Sequence, residues 1–204
     1  MFAIRLSDTL DAELRPLEPW QAEEFLDHMD RARANLDAFI PFASRSTDLP
    51  SARATLQRYA DQAAADTARI YGIWLDGTLV GGAMFARFDA RTGNCEVGVW
   101  AEPAGEGLGL ISAAVRHLIE YAVVERGMHR VEWLTSSGNA RSRAVAQRAG
   151  MRLDGVLRSK YPHNGIRHDT EVWSLLADEW SASPERSGAD AGRRPHGQTA
   201  PVGG

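Results

Sequence analysis

Apolar residues recur along this chain at two alternating periods, and the switches between them mark its elements. Residues 13–17 (Glu13-Leu14-Arg15-Pro16-Leu17) read as a short strand. Past Pro19, the positions Ala22, Phe25, Leu26 and Met29 recur at three- and four-residue spacing and predict an amphipathic helix. The linker 35–42 is too apolar for a solvated loop, and a second helix runs from a Ser51 cap through Tyr59 to Ala65. Residues 70–75 and 78–85 flank Asp76-Gly77, a two-residue hairpin signal. Residues 94–100 form a mostly apolar strand that Pro103 stops. Leu110, Ile111, Ala114, Val115, Leu118, Ile119 and Ala122 then mark a helix with one buried face. A strand over 131–135 precedes a helix opened by Asn139 and closed by Gly150. Two long strands, 153–161 and 168–176, are joined by the turn Pro162-His163-Asn164-Gly165. The order is β-α-α-β-β-β-α-β-α-β-β.

That pattern ends near residue 180. Residues 181–204 are rich in Ser, Gly, Pro, Arg and Ala and carry almost no aliphatic side chains, so they are expected to form a disordered C-terminal tail behind one domain, 1–180. With 204 residues and 44% hydrophobic content, one substantial core suffices. Cys95 is the only cysteine, which excludes an internal disulfide, and no Cys/His spacing suits zinc, so no metal is expected. No stretch approaches the roughly 20 apolar residues of a membrane span, and a net charge of −4 without a basic run argues against nucleic acid. A cytoplasmic protein with neither membrane nor nucleic-acid partner is expected.

The densest chemical signal is Ala104-Gly105-Glu106-Gly107-Leu108-Gly109-Leu110, a glycine-spaced turn between a strand and a helix. Such a turn offers bare N–H donors and the positive end of a helix to an anion. A P-loop would need a Lys after the glycines, and a dinucleotide fingerprint would need a glycine where Leu110 stands. Gly-x-Gly-x-Gly opening a helix suits the pyrophosphate of coenzyme A. Glycines that merely allow positive φ in a connection are the alternative.

The element order, with this turn between the fourth strand and third helix, is similar to the GNAT acyltransferases, and within them the chain resembles the RimJ/RimL-type N-acetyltransferases. Four stretches carry the likeness: Leu14-Arg15-Pro16-Leu17; Glu96-Val97-Gly98-Val99-Trp100; Asn139-Ala140-Arg141-Ser142 with Ala149-Gly150-Met151; and Gly165-Ile166-Arg167-His168-Asp169 leading to Trp173-Ser174-Leu175-Leu176. The resemblance covers about residues 10–180. It implies an α/β (α+β) fold with a central mixed, mostly antiparallel seven-stranded sheet flanked by helices. It also implies acetyl-CoA as cosubstrate, a primary amine of a peptide N-terminus or small molecule as acceptor, and leaves a homodimer open. One position departs: the family usually has Arg or Gln three residues before the first required glycine, where this chain has Ala104.

On that resemblance Gly105, Glu106, Gly107, Leu108, Gly109 and Leu110 hold the pyrophosphate. Val97, Gly98 and Val99 line the pantetheine arm, with the valines bonding it through backbone groups as an added strand would. Asn139 holds the same arm. Transfer from a thioester to an amine needs a proton acceptor and a proton donor. Glu96, on the strand beside the thioester, is the candidate base, with an ordinary solvated or ion-paired carboxylate as the alternative. Ser142, at the third position of its helix, is the candidate donor to the thiolate and a candidate cofactor contact, with helix capping as the alternative for both it and Asn139. Asp37, Phe39, Phe42 and Tyr161 are expected around the acceptor, with His163 at the border. Sealing the core between the two helices is the alternative for Phe39 and Phe42, and Asp169 matches a family position with a structural alternative. Cys95 points opposite to Glu96 and is not expected to be a nucleophile.

Deprotonating an N-terminal amine at neutral pH costs about 1 kcal/mol against about 4–5 for a lysine, which favours weakly basic acceptors. The leading expectation is direct acetyl transfer to such an amine. A CoA-binding sensor with little turnover, suggested by Ala104, is the alternative; a nucleotide-binding module is disfavoured by the glycine spacing.

Overall fold

The protein is described by a computed structural model covering residues 3–39 and 42–181. The expected tail from residue 182, together with Ile40 and Pro41 of the interhelical linker, lies outside the described residues.

A two-residue strand, β1 (Ile4–Arg5), precedes β2 (Ala12–Pro16), after which α1 (Ala22–Leu36) and α2 (Leu49–Ala64) form one helical layer. The hairpin β3 (Arg69–Leu75) and β4 (Thr78–Asp89) turns through Asp76 and Gly77, at φ 48° and 75°, as a type I′ loop requires. β5 (Asn94–Ala101), α3 (Leu110–Glu120) and β6 (Arg130–Ser136) form the one parallel crossover among the described residues in an otherwise antiparallel run, because β5 and β6 are parallel. α4 (Ala140–Arg148), the long pair β7 (Arg152–His163) and β8 (Ile166–Leu176), and the short α5 (Ala177–Ser181) complete the chain. Among the described residues the sheet has eight strands in the order β1-β2-β3-β4-β5-β6-β8-β7, one more than the seven expected. The extra strand is β1, which pairs with β2 over only two residues and is too short to leave a periodic signature.

Each face of the sheet buries a separate core. Phe25, Met29, Leu56, Trp74 and Trp100 pack under α1 and α2; Phe85, Val97, Leu118, Val131, Trp133 and Trp173 pack under α3, α4 and α5. Alternation along β5 sends Cys95 and Val97 to the second core and Trp100 to the first, so Glu96 shares the α1/α2 face.

Helix ends follow local chemistry. α2 is capped by Asp48, not Ser51: the Asp48 carboxylate accepts from Ser51 N at 2.8 Å, and Ser51, three residues in, returns its hydroxyl oxygen to Asp48 N. At the end of α4, Gly150 lies at φ 80° with its N–H on Gln147 O, and Met151 N reaches Ala146 O, the two bonds of a Schellman motif.

Candidate active site

β5 and β6 pair only over Asn94–Arg130, Cys95–Val131 and Glu96–Glu132 and then diverge. From Val97 onward the β6-facing edge of β5 has no strand partner among the described residues, while its other edge stays bonded to β4 as far as Ala101. The result is a fork with Glu96 at its vertex, Val97, Gly98 and Val99 along one open prong, and the start of a helix beyond each prong. Such a switch point at the carboxyl ends of parallel strands is where open sheets hold ligands.

Beyond the β5 prong, the glycine turn divides into two halves. The N–H of Gly105 is taken by Glu102 O and that of Glu106 by Pro103 O, and a Cβ on Gly105 would lie 2.8 Å from the Val80 carbonyl oxygen. Gly105 is therefore small for packing, and neither it nor Glu106 can give a ligand its backbone donor as it stands. Gly107 and Gly109 adopt φ 75° and 77° with open space beside them. The N–H groups of Gly107, Leu108, Gly109 and Leu110 carry no backbone hydrogen bond among the described residues. Leu108 is exposed, while Leu110 anchors the start of α3 in the core. These four donors at a helix N-terminus fit a pyrophosphate.

Beyond the β6 prong, Asn139 caps α4 through its side-chain oxygen, which accepts from Ser142 N at 3.0 Å. Capping is thus real, and it leaves the Asn139 amide NH2 free to donate. Trp133 Nε1 donates to Ser142 Oγ at 3.0 Å, so that oxygen is already an acceptor and its own proton is directed elsewhere.

At the vertex, Arg87 and Arg130 both bond Glu132, and Arg130 also bonds Asp154, which accepts from Ser174 Oγ. Glu96, half-buried beside them, has no hydrogen bond or ion pair of its own among the described residues. Burial pushes its carboxyl above the ordinary value, with Arg87 pulling down and Glu132 pushing up. Two guanidiniums thus serve Glu132 and leave Glu96 without a hydrogen-bonded cation among the described residues. Cys95 is buried on the other face, and its thiol is pushed up to about 12 by burial, which removes it as a nucleophile.

On the acceptor side, the sequence candidates separate. Asp37 ends α1; its carboxylate accepts from the Ser44 hydroxyl and N–H, tying the linker across. The carbonyl of Asp37 meets His163 Nε2 at 2.7 Å and Asn164 Nδ2 at 3.2 Å, so the β7–β8 hairpin tip docks on the end of α1. Tyr161 stacks on His163 at 5.7 Å between ring centres. Phe42 is buried against Phe25 and Trp100, and so seals the α1 core; Phe39 stays half-buried in the turn. Asp169 accepts from Ser159 N at 2.7 Å and braces the irregular part of β7.

A buried brace behind the glycine turn escaped sequence reasoning. Trp100 Nε1 donates to His28 Nε2 at 2.9 Å, so His28 Nδ1 carries the hydrogen given to Glu102 Oε2 at 3.2 Å. Arg31 Nε bonds the same oxygen at 2.8 Å. Burial lowers the His28 pKa from 6.5 to about 4, outweighing the pull of Glu102. Above pH 6.5 the histidine is neutral folded and unfolded, so it adds no pH dependence. Between pH 6.5 and 4 the unfolded chain alone takes the proton, so stability is expected to drop by up to about 3 kcal/mol. Thermal melts across this window should show the loss in the wild type and a smaller one in His28→Gln; equal slopes would refute the assignment.

Among the described residues, no helix is long and apolar enough to cross a membrane, and no three His, Cys, Asp or Glu side chains are grouped to hold a metal.

A family model described as an acetyltransferase (GNAT) domain matches residues 12–152. The Bacillus subtilis (strain 168) protein named "Putative ribosomal N-acetyltransferase YdaF" is 31% identical over 185 residues, 88% of this chain and 98% of the relative. The Escherichia coli (strain K12) ribosomal-protein-serine acetyltransferase is 26% identical over 111 residues, 54% of this chain and 62% of that one. Among solved structures, the ribosomal L7/L12 alpha-N-protein acetyltransferase RimL in complex with coenzyme A superposes with a TM-score of 0.81 at 20% identity, covering 87% of this chain and 99% of the other.

Proposed function

The chain belongs to the GNAT acetyltransferase family, and from that premise we propose that it is an acetyl-CoA-dependent N-acetyltransferase acting on the N-terminal amine of a protein. The carrying observation is the fork: an unpaired β5 edge with a basic, unpartnered carboxylate at its vertex and a helix start beyond each prong. When bound, acetyl-CoA supplies an acetyl group activated as a thioester. Gly107 to Leu110 would hold its phosphates through backbone N–H groups, and the Val97–Val99 edge with the Asn139 amide would hold its arm. Glu96 takes the ammonium proton of the acceptor, directly or through water. As the N–C bond forms and the C–S bond breaks, Ser142 gives its free proton to the sulfur and regains the one that the nitrogen sheds as it becomes an amide, at a helix end that favours negative charge. One relative is named a ribosomal-protein-serine acetyltransferase and another a putative ribosomal N-acetyltransferase, and an N-terminal amine is the acceptor that Glu96 can deprotonate at least cost. The segment 37–45 and the Tyr161–His163 tip would border that amine.

Purified protein given acetyl-CoA and N-terminal peptides should release free thiol, and mass spectrometry should find acetyl on the α-amine. Tight CoA binding without turnover on any amine would favour the sensor reading that Ala104 suggests. Ser142→Ala is expected to reduce kcat roughly 10- to 100-fold with little change in CoA affinity. The deficit should shrink for acetyl thioesters of more acidic thiols, whose sulfur needs no proton to leave. An equal deficit with every thiol would assign Ser142 to capping alone.

A further inference from the structure

The glycine turn is an anion cradle whose only charged side chain is an anion, Glu106. A carboxylate there repels the phosphates of the acetyl donor, and Ala104 gives no compensating cation. Compensation comes from the other prong of the fork. Arg141, in the first turn of α4, reaches across to the turn, with Nη1 2.6 Å from Glu106 Oε1. Its Nε and Nη2 carry no hydrogen bond among the described residues, and the side chain is 74% exposed. Stability does not explain this arginine. An exposed ion pair contributes little, and the first turn of a helix is the end that disfavours a cation. A bound anion removes that penalty, and a guanidinium suits phosphate because two of its N–H groups can bond two oxygens at once.

We infer that Arg141 is the side-chain cation that binds a phosphate group of coenzyme A at the glycine turn, in place of the side chain missing at Ala104. The inference rests on the proposed function. Glu106 holds Arg141 over the cradle when no ligand is present and competes with the phosphate for it when one arrives. Glutamine at 106 can still accept from Arg141 without the negative charge, so Glu106→Gln tightens binding.

Calorimetry with coenzyme A tests this directly. Arg141→Ala should raise the Kd for CoA about tenfold or more and flatten its dependence on salt, Arg141→Lys should recover part of the loss, and Glu106→Gln should lower the Kd severalfold. Pantetheine, which carries no phosphate, should inhibit wild type and Arg141→Ala within about twofold of each other. Dephospho-CoA identifies the group held: an equal loss with both ligands assigns the pyrophosphate, and a loss confined to CoA assigns the 3′-phosphate. A CoA Kd unchanged in Arg141→Ala, or weakened binding in Glu106→Gln, overturns the inference while leaving the proposed function standing. No CoA binding by the wild type overturns both.

Discussion

Replacing Glu96 by glutamine is expected to lower kcat with an N-terminal peptide by about 10²- to 10⁴-fold, the range that a positioned proton acceptor contributes. Glutamine keeps the volume and the polarity but cannot take a proton. CoA affinity should hold, because the phosphate cradle lies at the far end of β5. The wild-type rate should fall on the acid side with a limb above the ordinary carboxylate range, since burial raises the Glu96 pKa. Glu96→Gln should lack that limb. Stability should move the other way: an acid whose pKa is raised on folding stabilises the fold below its unfolded pKa and loses that contribution as pH rises through the folded one. At pH 7 and above Glu96 is therefore an electrostatic burden, and the slow variant should melt higher than the wild type. A kcat within a few-fold of wild type, with the acid limb intact, would remove Glu96 as the base.

The residues of this site were legible in the sequence to different depths, and the reason is range. The glycine turn, the Asn139 cap and the opposite orientation of Cys95 and Glu96 are local properties of spacing and alternation, and the geometry agrees with each. The fork is not local. It depends on pairing between β5 and β6 stopping after Glu96–Glu132, which no periodicity within either strand encodes. The service of Glu132 by Arg87 and Arg130 follows from the same register, although Arg130 and Glu132, two apart on one strand, already shared a face. His28 lies at helical spacing among Ala22, Phe25, Met29 and Ala32, so its burial was readable; its partners Trp100 and Glu102, more than 70 residues away, were not. Within the turn, spacing treated all three glycines alike. Packing against Val80 separates Gly105 from the two that bend into positive φ.

That separation yields the second large effect. Gly109→Val should raise the Kd for CoA at least about 100-fold. A β-branched residue held at φ 77° is strained by about 1–2 kcal/mol or more. Relief comes by rotating the peptide units that aim the donors of Gly109 and Leu110. If the turn holds instead, the two γ-methyl groups fill the open space where nothing now lies within 4 Å of a Cβ. Either response removes the cradle, and both spare the core, because Leu110 anchors α3 independently. Far-UV circular dichroism should therefore be unchanged and the melting temperature little lowered. Gly105→Ala should do the reverse. Its Cβ would meet the Val80 carbonyl oxygen at 2.8 Å and the Cγ2 methyl at 3.2 Å, so β4 or the turn must shift, and the loss should fall on thermal stability more than on CoA affinity of the folded protein. Calorimetry and melts on the two variants separate the roles; undiminished CoA binding by a folded Gly109→Val would move the phosphate site away from this turn and remove the basis for the fork as the catalytic cleft.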